Sequence, residues 1–190
     1  MFPDEGDDMS SNAAIDRRAR ATRDSIGRAF LKLGGIGGIE ALSVGVLARE
    51  AGIARSTFYA HYRGIDDYLA RGFAGMLQGL ARAELGNAIL PVRAILDHVV
   101  AAGEGASSLL ADRRFPLMMV EGGLALKRVA IERLAERSPN LSEVERRSLA
   151  TILSAGFLAL MREWIEQGRK IPAGELAGRF ETIERRLTAP

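Results

Sequence analysis

The stretch AREAGIARSTFYAHYRGIDD, Ala48 to Asp67, carries three aromatics, a histidine and two arginines just beyond a single glycine. Aromatic residues make up only 6% of the chain, so their concentration here needs a reason. Gly52 breaks a short helix expected over Val44 to Glu50, for which Ser43 is a good N-cap, and Ile53 sits in the turn. A second short helix is expected from Arg55 to Tyr62. Short helix, glycine turn, short helix is the helix-turn-helix pattern, whose second helix lies in the DNA major groove.

The second helix divides into two faces. Phe58 and Tyr62 lie four apart on one side and, with Ile53, are expected to bury against the preceding helices. The other side shows Arg55, Ser56, Tyr59 and Ala60, which are base-reading or backbone-contacting types with no large aliphatic among them. Thr57 and His61 flank that side and can donate to phosphates.

Charge agrees with this division. Residues 1–16 hold five acids and no base, residues 17–63 hold nine Lys/Arg against three acids, and residues 64–190 hold seventeen against sixteen. The middle segment, at +6, carries nearly all the uncompensated positive charge, which suggests a polyanion partner. The chain of 190 residues is 47% hydrophobic and 26% charged, an ordinary globular composition. It has no cysteine, which excludes disulfides and thiolate metal sites and is compatible with a cytoplasmic protein. Acids near the N-terminus (Asp4, Glu5, Asp7, Asp8) read against a signal peptide. The longest uncharged run, Ser148 to Met161, is shorter than the ~18 residues a membrane span requires. No membrane partner is therefore expected.

Outward from the motif, residues 1–14 read as a disordered tail and a helix is expected from Ile15 to Leu33, with Ile26, Phe30 and Leu33 on one face. GGIGGIEA, Gly34 to Ala41, ends it. Beyond the motif, helices are expected over 65–85, 92–110, 116–136, 142–168 and 173–187, with a break at GNAILP, Gly86 to Pro91. No period-2 alternation persists, so the chain reads as all-α: a basic helix-turn-helix domain over 15–63 and a helical body over 64–190.

At these residues the sequence resembles the TetR family of bacterial transcription regulators. The matching stretch is LSVGVLAREAGIARSTFYAHYRGIDDYL, preceded by a helix containing AFLKLGG. The family's Thr/Ser-Val start corresponds to Ser43-Val44 and its Ala-x-x-Ala-Gly-Val turn to Ala48 with Ala51-Gly52-Ile53. Its aromatic run corresponds to Thr57-Phe58-Tyr59 with His61-Tyr62. The resemblance implies a homodimer whose N-terminal domains bind palindromic double-stranded operator DNA, and a C-terminal domain that binds a small effector and dimerises through its last two helices. It places Arg55, Ser56, Thr57, Tyr59 and Ala60 toward the groove and His61 on a phosphate, with Arg49 and the Ser43 helix start as further backbone contacts. Two positions depart from the pattern. Ala54 stands where a capping Ser or Thr is usual, a difference of ~1 kcal/mol, and Ile65 stands where a phosphate-gripping lysine is common. The arginines of RRARATR (Arg17, Arg18, Arg20, Arg23) are candidates to compensate in the minor groove or along phosphates.

In the body, Ala155, Gly156 and Ala159 form a small-residue strip beside Leu149, Ile152 and Leu160, and Leu176, Phe180, Ile183 and Leu187 recur at helical spacing. Together they are the expected dimer interface, a four-helix arrangement. An effector cavity is expected from Met76, Leu80, Phe115, Met118, Met119, Phe157, Met161 and Trp164, with His98 and Glu121 as polar handles. So few charges there favour a largely apolar effector. Nothing marks an enzyme or a cofactor: GGIGG has Glu40 where a GxGxxG match from Gly35 needs glycine, and GxxxxGK, HExxH and GxSxG are absent. His61 and His98 do not sit in a metal-ligand cluster, so no metal is expected. The competing reading is a dimeric helical scaffold or ligand-binding protein with weakened DNA binding.

Overall fold

The structure, a computed structural model, describes residues 6–34, 39–83 and 86–188. Residues 1–5 of the expected tail, Gly35 to Gly38 of the glycine run and residues 84 and 85 lie outside that description. The described residues form helices and no strand: α1 Gly6–Lys32, α2 Val44–Glu50, α3 Arg55–Tyr59, α4 Ile65–Ala83, α5 Arg93–Ala102, α6 Glu104–Ala111, α7 Phe115–Arg137, α8 Glu143–Glu166 and α9 Ala173–Thr188. The fold is all-α, as expected. The chain divides into two compact units, Met1–Tyr68 and Leu69–Pro190, with the division inside α4.

Three elements differ from the sequence reading. Residues 6–14, expected as tail, belong to α1. Helix α3 ends at Tyr59 instead of Tyr62, with the His61 and Tyr62 N–H groups both donating to the Phe58 carbonyl at 3.0 Å. The single helix expected over 92–110 is two, because Gly103 adopts φ +56° between α5 and α6, a conformation that costs glycine nothing and other residues a great deal.

In the N-terminal unit, Ile26 and Ala29 of α1 bury with Leu47 and Ala48 of α2, Phe58 of α3 and Tyr68 of α4. Phe30, Phe58, Tyr62 and Tyr68 form one ring cluster, with Tyr62 edge-on to Tyr68 at 5.1 Å and Phe30 edge-on at 5.7 Å. Desolvation, followed by the neighbouring Tyr62, pushes the Tyr68 hydroxyl far above the usual tyrosine value. It stays protonated at every physiological pH.

In the C-terminal unit, α7 runs along α8, α5 packs on α9, and α6 packs on α8. Gly122 permits a close approach: a Cβ there would lie 2.8 Å from Leu77 Cδ1 and 2.9 Å from Phe73 Cε1. By length and composition α8 could cross a membrane, but here Leu153, Phe157, Leu158, Met161 and Trp164 are buried, as in the core helix of a globular unit. Its N-terminus is closed by a capping box: the Glu145 N–H donates to Ser142 Oγ, and the Ser142 N–H donates to the Glu145 carboxylate.

The connection from α4 to α5 is held from both sides. The N–H groups of Ile89 and Leu90 donate to the buried Glu184 carboxylate of α9 at 2.7 Å each. From α7, the Arg133 guanidinium donates to the carbonyls of Ala88 and Ala81, and that of Arg137 to Ala88 and Gly86. Burial pushes the Glu184 carboxyl up, with Glu181 adding to the rise, while the Leu90 and Ile89 N–H groups and Arg137 pull it back.

Candidate nucleic-acid interface

The turn between α2 and α3 is built by its residue types. Ser43, with extended backbone, caps α2 by accepting from the Val46 N–H at 3.3 Å. At the other end the Ile53 N–H reaches the Ala48 carbonyl and the Gly52 N–H reaches the Arg49 carbonyl, with Gly52 at φ +68°. This is a Schellman motif, and its left-handed position selects glycine. Helix α3 therefore starts at a fixed angle, with Phe58 completely buried beneath it.

That anchoring turns the other side outward. Arg55, Ser56, Tyr59 and Ala60 are exposed, Tyr59 by 56%, and Thr57 and His61 are half-buried at the flanks. Arg49 at the end of α2 is exposed as well. Six candidates thus cluster on and around one short helix. The Arg55 guanidinium rests against α2, where a Cβ on Gly45 would meet its Nη2 at 2.6 Å. Glycine at 45 gives the arginine a resting place on the helix backbone, a role the sequence reading missed because the two residues are ten positions apart. Arg17, Arg18, Arg20 and Arg23 are exposed on α1 itself. They lie on a helix and not on an extended arm.

The start of α4 is acidic. The Arg63 N–H donates to Asp67 Oδ2 at 3.0 Å, and its guanidinium pairs with Oδ1 at 3.1 Å. Ile65 at the first helical position is half-buried. Ala54, the N-cap of α3, makes no side-chain cap.

The residues expected to line an effector cavity are dispersed. Phe115, Met118, Phe157, Met161 and Trp164 are buried in the core of the C-terminal unit, Met76, Leu80, Met119 and Glu121 are half-buried, and His98 is exposed. The Trp164 indole N–H is spent on the Ile171 carbonyl at 2.8 Å. A groove of about 540 Å³ runs between α7 and α8 and takes Phe115 and Met119 from that set, alongside Val120, Leu124, Ala155 and Ala159. Of the expected dimer residues, Ile152, Ala155, Gly156, Ala159 and Ile183 are exposed, and Leu149 and Leu160 half-buried. Leu176 and Phe180 are buried within the chain's own core, Phe180 edge-on to Phe157 at 5.4 Å, so they are not free for a partner. Among the described residues no group of three or more metal-ligating side chains occurs.

No family model matches the sequence, and no curated protein matches it. Among solved structures, the chain is similar to the TetR family repressor AlkX from Dietzia sp. Strain DQ12-45-1b, implicated in biodegradation of n-alkanes, with a TM-score of 0.54. The identity is 19%, and the match covers 86% of this chain and 96% of that one. The chain has the TetR-family fold. Ala54 and Ile65 stand at the starts of α3 and α4.

Proposed function

We propose that the protein is a ligand-responsive transcriptional repressor. It binds a palindromic operator as a homodimer and releases it when a small, largely apolar effector occupies the C-terminal unit. The observation that carries this reading is the α3 surface: Phe58 buried below, with Arg55, Ser56 and Tyr59 exposed above on the second helix of a helix-turn-helix. Arginine on such a helix can bond guanine O6 and N7 together, and the neighbouring hydroxyls can fix register on phosphates. The α1 arginines and Arg49 add a sequence-independent contribution that weakens with salt. The reading assigns the chain no catalytic activity and no cofactor, and it fits a cytoplasmic protein.

Effector control requires a ligand that prefers a state whose two α3 helices no longer match successive major grooves, ~34 Å apart. Since α4 belongs to both units, it is the proposed lever. A gel shift with the DNA upstream of the protein's own reading frame, run at increasing salt, tests the assignment. Saturable binding that survives competitor DNA supports a sequence-specific regulator. Binding no tighter than to unrelated DNA leaves the helical scaffold or ligand-binding reading, which the uncapped Ala54 favours.

A further inference from the structure

Gly45 is the second residue of α2, where glycine is less favourable for a helix than alanine. Its backbone is not in the left-handed region, so no turn demands it. What the missing side chain leaves room for is Arg55. A Cβ at 45 would have the Arg55 guanidinium as its nearest neighbour, with Nη2 at 2.6 Å, Cζ at 3.2 Å and Nε at 3.3 Å.

Arg55 is exposed, and nothing polar in the chain holds it. Among the described residues its guanidinium makes no hydrogen bond and no ion pair. Acids before and after it in the sequence are engaged elsewhere, Glu50 with Lys32 of α1 and Asp67 with Arg63. Its place in the first turn of α3 also sets a cation at the helix end whose dipole is positive. Neither helix stability nor an internal partner accounts for an arginine here. Its donors stay available to an outside acceptor, while the guanidinium itself is confined against α2.

We propose that Gly45 is a positioning residue for sequence reading: by leaving α2 bare, it holds Arg55 in the orientation from which it bonds a base edge. This rests on the reading of α3 as the recognition helix given above. The two helices then share one task, α3 supplying the donors and α2 the surface that aims them. A long side chain that must be ordered on binding weakens the complex, and one already confined avoids most of that loss. A bidentate fit to guanine O6 and N7 needs one orientation, whereas a phosphate accepts from many. The confinement therefore bears on discrimination between bases and hardly at all on affinity for the DNA backbone. Alanine at 45 would push the guanidinium aside, and the fold should tolerate it, because what moves is the free end of a flexible side chain.

The test uses the full chain and the duplex it enriches from a randomised pool, with each base pair of that site then replaced in turn. Wild type should favour guanine at one position per half-site, and Arg55→Ala should flatten that preference. Gly45→Ala should reduce it at the same position by about 2- to 10-fold, the ordering loss of one long side chain. The salt slope and the affinity for unrelated duplex should not change, and thermal stability should be equal or higher. In the Arg55→Ala background, adding Gly45→Ala should change nothing. In the free protein, the Arg55 Hε should show a nuclear Overhauser contact to the Gly45 Hα protons, lost in Gly45→Ala. Full guanine preference in Gly45→Ala overturns the proposal, as does a free protein without the Arg55–Gly45 contact. An equal loss with and without Arg55 also overturns it, since position 45 would then touch DNA directly. If Arg55→Ala leaves every base preference intact, base reading by Arg55 fails and the positioning role falls with it. A pool that yields no enriched duplex overturns the DNA-binding reading and this role together.

Discussion

The α2–α3 region and the α7–α8 pair place their large apolar side chains differently. Around α3, Phe58 is buried and what remains outside is arginine, serine and tyrosine hydroxyl. Along α7, Leu117, Val120 and Leu124 remain outside, and aromatics and methionines such as Phe115 and Met118 fill the interior. The first arrangement is complete in a single chain and presents polar and charged groups to solvent. The second leaves apolar area in water. A short helix pinned by one Schellman turn can present chemistry without help; long helices in a pair present a surface.

The largest effect expected from breaking this contrast is at Phe58. Phe58→Ala removes a fully buried ring beneath α3 and should cost ~3–5 kcal/mol in the N-terminal unit. Melting followed by circular dichroism should lose its N-terminal contribution, while hydrodynamic measurements show the same association state as wild type. If association is lost along with the helix-turn-helix, the two regions are not the independent pieces described here.

Glu184→Gln is next. It leaves two buried N–H groups sharing one carbonyl oxygen, a loss of ~1–3 kcal/mol. The pH dependence has a definite sign. Burial raises the folded carboxyl above the 4.5 of the exposed group, so this group's contribution is fully present below 4.5 and declines as pH rises through the folded value. The stability gap between wild type and Glu184→Gln should therefore narrow with rising pH over that window. A widening gap, from chemical denaturation at several pH values, would show that the N–H donors outweigh burial.

Ala54→Ser restores a side-chain cap to α3, whose N-cap backbone is already extended at φ −69°, ψ 150°. It should add ~1 kcal/mol to the N-terminal unit. Unchanged denaturation would mean that the helix start is held by packing alone. The smallest effect is at Ile65. Ile65→Lys should steepen the slope of log affinity against log salt by ~0.9 per protomer without altering base preference. Asp66 and Asp67 in the same turn oppose a nearby phosphate, so an unchanged slope would show that α4 does not dock end-on to the backbone.

Local patterns in the sequence predicted the N-terminal region well, and the reason is range. Ser43, Gly52 and the Phe58–Tyr62 spacing act over a few residues, and they correctly locate α2, the turn and the buried side of α3. The body depends on pairings across many tens of residues. Periodicity alone could mark Leu176 and Phe180 as one face of a helix, but whether Phe157 of the same chain or another copy covers that face is a tertiary fact. The break at Gly103 was missed because one glycine in an otherwise helical run carries no sign of its φ. The Arg55–Gly45 contact was missed because spacing along the chain does not report a side chain folding back on the preceding helix.

The central claim is that the exposed side of α3 reads DNA sequence. Fluorescence anisotropy of wild type and Arg55→Ala, on the operator and on unrelated duplex at one salt concentration, tests it most directly. The account predicts a loss of ~1–3 kcal/mol on the operator and a much smaller loss on unrelated DNA. Equal losses on both would make Arg55 a phosphate contact and contradict base reading by α3.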